Sequence, residues 1–195
     1  MLFWNYVTDF GDTAITLPLS VLMICFLFFL GERRAGIGLA LALAACGIAI
    51  ALVKLVLQSC GHPLLSIDLV NPSGHAALST MVFGSLGFLL SHGSTAERRW
   101  IFTTSSLTII LAIAVSRLAL AFHSPAEVLA GVALGLVALI IFCYAARSLP
   151  ARREFLWLGL FALVVIGLIH GSRWPIEEVI QSLVHLIRHS VPACS

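Results

Sequence analysis

Asn71-Pro72-Ser73-Gly74-His75-Ala76-Ala77-Leu78-Ser79-Thr80-Met81-Val82-Phe83-Gly84-Ser85-Leu86-Gly87-Phe88-Leu89-Leu90 begins as a small polar island and continues as an apolar run. A run of this length predicts a helix crossing a hydrocarbon core, which takes about 20 residues. Pro72 can stand at the mouth of that helix, Ser73 can cap it, and Gly74 lets backbone N–H groups approach a ligand closely. The start of a helix with these features invites an anion. His75 then sets a proton donor beside the guest.

A second island follows downstream: Ser116-Arg117, five mainly apolar residues, then His123-Ser124-Pro125-Ala126-Glu127. It too is bounded by apolar runs. Polar islands holding histidines and an arginine are costly inside lipid-like sequence unless they face each other or water. The two islands are therefore read as two halves of one site.

Composition sets the surroundings. Of 195 residues, 60% are hydrophobic and 10% charged, and the mean hydropathy is +1.07, which excludes a soluble globular core and predicts an integral membrane protein. The length fits one bundle of about six spans, a single domain over 1–195, with no room for a second. A net charge of +2 is too small for a nucleic-acid binder, and the arginines stand beside apolar segments, as topology signals do. Cys25, Cys46, Cys60, Cys143 and Cys194 have no metal-ligand spacing; the first, second and fourth fall within spans, where cysteine acts as a small apolar residue. Only Cys60 and Cys194 could meet oxidant, and a disulfide between them is not expected. The N-terminus has no basic region, so the first apolar run is expected to be retained and inserted with the N-terminus outside.

The predicted layout is a surface segment over 1–12, rich in aromatic residues, then spans over about 13–30, 35–57, 73–90, 101–121, 124–145 and 155–169, and an amphipathic surface helix over 174–190. Small residues in the second span allow close helix packing. In the tail, His185 and His189 are four apart, but a solvated helix face explains them better than a metal does. Arg33/Arg34, Arg98/Arg99 and Arg147/Arg152/Arg153 occupy alternate loops, which the positive-inside rule assigns to the cytoplasm. Lys54, Ser73, Gly74, His75, Arg117, His123 and Glu127 then share one level at the outer face, with both termini outside.

At that level Ser73 and Gly74 offer a hydroxyl and backbone N–H groups, and Lys54 and Arg117 two cations, a set suited to tetrahedral phosphate. One histidine can attack phosphorus as a neutral imidazole while the other protonates the leaving oxygen. The pattern resembles the type 2 phosphatidic acid phosphatase (PAP2) family of membrane lipid phosphatases. Its middle motif, Pro-Ser-Gly-His, matches Pro72-Ser73-Gly74-His75 in full. Its last motif, Ser-Arg, five residues, His, three residues, Asp, matches Ser116-Arg117 and His123, with Glu127 in place of the aspartate. The first motif, Lys, six residues, Arg-Pro, departs: six residues after Lys54 stand Gly61-His62, and His62-Pro63 comes one residue late. Either His62 stands in for the arginine or that phosphate contact is missing.

The resemblance implies an all-α, polytopic bundle of six transmembrane helices with its active site at the outer, periplasmic face. It implies His123 as nucleophile, Glu127 as its orienting partner, His75 as acid, and Lys54, Ser73, Gly74, Arg117 and His62 around the phosphate. No cofactor or metal is implied. The expected substrate is a lipid phosphate or pyrophosphate at the outer leaflet of a bacterial inner membrane, undecaprenyl pyrophosphate first, with membrane lipids as surroundings, no nucleic acid and no obligatory protein partner. A phosphotransferase and a non-catalytic lipid-binding relative are the competing classes. Bland roles also stand: Ser124 and Glu127 fit a capping box, Lys54 and Arg117 could snorkel to the interface, and His92 and His170 fall outside the site.

Overall fold

The computed structural model describes residues 1–60, 71–151, 153–172, 174 and 182. Among them the chain forms seven helices: α1 (Leu2–Asp9), α2 (Thr13–Phe29), α3 (Arg33–Cys60), α4 (Gly74–Ser91), α5 (Ala96–Ala119), α6 (Pro125–Ala145) and α7 (Phe155–Ile169). Five stretches are long and apolar enough to cross a membrane: Leu2–Phe29, Arg33–Leu57, Gly74–Ser91, Ala96–Ala119 and Pro125–Ala145. The protein is an all-helical integral membrane protein. The sixth expected span is present as α7, but its 15 residues extend only about 22 Å against a core of about 30 Å. His62 and most of the segments 58–71 and 174–190 lie outside the described residues, as do Arg152, Cys194, His185 and His189.

Polar side chains set where the helices begin. Asp12 accepts from the Ala14 backbone N–H at 2.8 Å, Ser73 caps α4 through Ala76, and Ser124 caps α6 through Glu127. Thr95 caps α5 through Arg98, so that helix starts well before the expected Ile101. Glu97 in its first turn suits the positive end of the helix dipole, and the charged residues expected in a loop continue the helix as an exposed turn.

α4 is the hub, packing against α2, α3, α5, α6 and α7. Its Ala77, Met81, Val82, Phe83 and Leu89 join the core with Leu19, Met23 and Leu27 of α2, Leu39 and Ile50 of α3, and Phe142 of α6. Its buried hydroxyls bond inside the helix: Thr80 Oγ1 donates to the Ala76 carbonyl at 2.6 Å and Ser79 Oγ to the same oxygen at 3.2 Å, so neither is left unsatisfied. α6 presses closest. A Cβ at Gly131 would collide with the Ser73 carbonyl oxygen, and one at Gly135 with that of Ala77, the small-residue spacing that lets two spans touch backbone to backbone.

Hydrogen bonds between loops tie each end of the bundle. At the arginine-bearing end the His92 ring Nε2 meets the Leu149 carbonyl at 2.7 Å. At the other, the Ser73 N–H donates to the Glu127 carbonyl at 3.0 Å, and His170 stacks on Tyr6 and packs on Phe10. His92 and His170 thus have structural contacts of their own. The end away from Arg33, Arg34, Arg98, Arg99, Arg147 and Arg153 is where α4 and α6 begin and α3 and α5 finish.

Candidate active site

Each helix end contributes one part. Ser73, fully buried, receives the Ala76 N–H on its hydroxyl at 3.3 Å, which orients the first turn of α4 and with it Gly74 and His75. Lys54 enters from the last turns of α3 and is only 2% exposed. Arg117 comes from the last turn of α5; its Cζ lies 4.5 Å from the centre of the Phe122 ring, a cation–π contact that steers the guanidinium. His123 stands in the short connection to α6. The Ser73 N–H donates to the Glu127 carbonyl at 3.0 Å and the Asn71 N–H to Glu127 Oε1 at 2.6 Å, so the two islands meet.

Glu127 ties the convergence together. Its Oε2 receives the Ser124 N–H at 3.0 Å and faces His123 Nδ1 at 3.1 Å, while Oε1 receives the Asn71 N–H at 2.6 Å. The two readings of Glu127, capping box and histidine partner, are both realised in one side chain. An ionised carboxylate only accepts, so His123 donates Nδ1–H to it and keeps a lone pair at Nε2. Burial pushes the His123 imidazole below the usual histidine range, Arg117 and Lys54 push the same way, and Glu127 opposes them. Its resting form is therefore the neutral one a nucleophile needs.

The N-terminal segment, expected at the membrane surface, reaches into the site. Phe3 and Tyr6 are exposed, but Thr8, Asp9 and Asp12 are buried, because α1 docks on α5. Thr8 Oγ1 accepts from Arg117 Nη1 at 3.0 Å. Asp12 Oδ2 lies 3.6 Å from His75 Nε2. Sequence reading missed both residues. The available signal was a pair of aspartates at the edge of a span, where an acidic residue has to find a partner or water.

A cavity of about 810 Å³ opens from this cluster. Asp12, Lys54, Gly74 and His75 line its polar end; Leu17, Val21 and Ile24 of α2 face Ala40, Ala44 and Gly47 of α3 along the rest. The small residues of α3, expected to allow close packing in places, do so at Gly38 against Ala145, while Ala40, Ala44 and Gly47 form the floor of a trough. From Lys54 to Ala40 the trough runs about 21 Å along the helix. Leu17, Val21 and Ala44 are exposed, which opens it sideways.

Two histidines, two cations and a helix N-terminus thus stand at one end of a membrane-embedded helical bundle. Residues 57–150 match the model of the PAP2 superfamily. It is 26% identical over 186 residues to an uncharacterized 22.5 kDa protein in the cps region of Klebsiella pneumoniae, covering 92% of this chain and 89% of that one. No solved structure matches significantly. The matched residues hold both histidine motifs but neither Lys54 nor the N-terminal segment.

Proposed function

We propose that the protein is a phosphatase that hydrolyses a lipid phosphate or pyrophosphate at the outer leaflet through a phosphohistidine on His123, with undecaprenyl pyrophosphate the first candidate. The match of residues 57–150 to the superfamily model supports phosphatase chemistry. The observation that favours a lipid is the cavity: one end holds Lys54, Gly74 and His75, and the other is an apolar trough open to the side. A soluble phosphate ester would have no use for about 21 Å of hydrocarbon-lined groove, whereas a phosphate on a hydrocarbon chain fills both ends.

The chemistry closes in two steps. The His123 Nε2 lone pair forms a bond to phosphorus as the bond to the leaving oxygen breaks, and His75 gives that oxygen its proton. Water then attacks phosphorus, the N–P bond breaks with its electron pair returning to Nε2, and the water proton passes to His75. Ser73, the first turn of α4, Lys54 and Arg117 would hold the equatorial oxygens, where charge builds.

Purified protein in detergent, with chelator present, should release inorganic phosphate from lipid phosphates and from an aryl phosphate. Gly47 offers a control for the trough, since a Cβ there meets nothing within 4 Å. Gly47→Leu should raise KM for a long-chain substrate about tenfold, the effect of losing one or two methylene-sized contacts, and leave the aryl phosphate unchanged. Equal effects on both substrates would overturn the lipid assignment, and label passing to an acceptor lipid would make the enzyme a transferase.

A further inference from the structure

Asp12 is built as a helix cap, yet its carboxylate does more than capping needs. Oδ1 alone receives the Ala14 N–H at 2.8 Å and the Trp174 N–H at 3.3 Å. Oδ2 takes no part in either contact and lies 3.6 Å from His75 Nε2, with the Asp12 side chain 11% exposed. Capping would be served as well by Ser or Asn; a second, charged oxygen turned toward an imidazole is what an aspartate adds. The carboxylate is itself held at the positive end of α2, which favours its ionised form.

The charges around His75 make that anion necessary. Lys54 of α3 lines the cavity together with His75, and Arg117 stands in the last turn of α5 at the same end of the bundle, so two cations share this end with the imidazole. On α6, Glu127 is engaged with His123, Ser124 and Asn71. Asp12, at the junction of α1 and α2, places a carboxylate oxygen 3.6 Å from His75 Nε2. A proton donor between two cations loses its proton early unless a carboxylate offsets them.

We propose that Asp12 is the positioning residue for His75, orienting the imidazole and stabilising its protonated form, so that the site contains two carboxylate–histidine pairs with opposite tasks. Glu127 keeps a lone pair ready on His123, and Asp12 keeps a proton ready on His75. The inference rests on the phosphatase reading and adds to it a residue outside the stretch that the superfamily model matches.

The test is Asp12→Asn, which keeps an oxygen for the Ala14 N–H and replaces the second by an amide. Activity on a lipid phosphate should lose its alkaline limb about one pH unit earlier and fall about tenfold at neutral pH. An aryl phosphate, whose leaving group needs little protonation, should lose less than about threefold. Adding Asp12→Asn to His75→Ala should cost nothing further, because two residues in one unit are not additive. An unmoved alkaline limb, equal losses on both substrates, or additive losses would overturn the proposal. The His75 imidazole titration, followed by NMR and assigned with His75→Gln, needs no turnover. Its midpoint should drop in Asp12→Asn, and an unchanged midpoint contradicts the role even if the phosphatase reading has failed because wild-type protein releases no phosphate.

Discussion

Glu127 shows how closely stability and chemistry are joined in a single side chain. The same Oε2 completes the capping box of α6 and faces His123 Nδ1. Glu127→Gln keeps an oxygen for capping but can turn an N–H toward Nδ1, which favours the wrong tautomer of His123. Turnover should fall about 100-fold or more while the melting temperature moves by only a few degrees; a large loss of stability with activity per folded molecule retained would make Glu127 a cap alone. The pH profile follows from the same geometry. His123 attacks only when neutral, and burial holds it below the usual range near 6.5, so the acid limb of kcat/KM should lie below that value and activity should be lost as pH falls through it. An acid limb at or above 6.5 would contradict the buried setting. Most of these residues were legible in sequence because two short motifs carry them in fixed spacing. Asp12 and Thr8 were not, since each meets its partner across the bundle and neither sits in a motif.

At the scale of the element, the seam between α4 and α6 decides whether the site assembles. Gly131 touches the backbone of Ser73 and Gly135 that of Ala77, so any side chain there must push the start of α4 away from Glu127. Gly131→Val should cost about 1–3 kcal/mol by overpacking and should lower activity further than the melting temperature suggests, because the Ser73 N–H to Glu127 carbonyl bond is stretched first. A detergent melting curve and phosphate release from the same preparation would separate the two effects. Helix positions were readable from apolar length, as α4, α6 and α7 show within a residue or so. What each helix faces was not. Spans that are apolar all round give no polar side to count from, and so the small residues of α3 could not be divided between packing, as at Gly38 against Ala145, and the trough floor at Gly47.

Across the molecule, the loop arginines Arg33, Arg34, Arg98, Arg99, Arg147 and Arg153 mark one end and the site the other, and the proposed outward orientation follows from the positive-inside rule. With the five native cysteines replaced, Ser172→Cys beside the site end should react with an impermeant thiol reagent on intact cells, and Arg98→Cys at the arginine end should not; both positions are exposed. The reverse pattern would turn the protein over in the membrane and move the substrate to the inner leaflet. The central claim is that the two islands form one catalytic centre with His123 as nucleophile. Rapid acid-free quenching of the purified protein during turnover of a phosphate-labelled lipid, followed by peptide mapping, measures it directly. The phosphoryl group should be found on His123 as an acid-labile, base-stable adduct and be absent in His123→Ala. Label on another residue, or an adduct that persists in His123→Ala, would contradict the account.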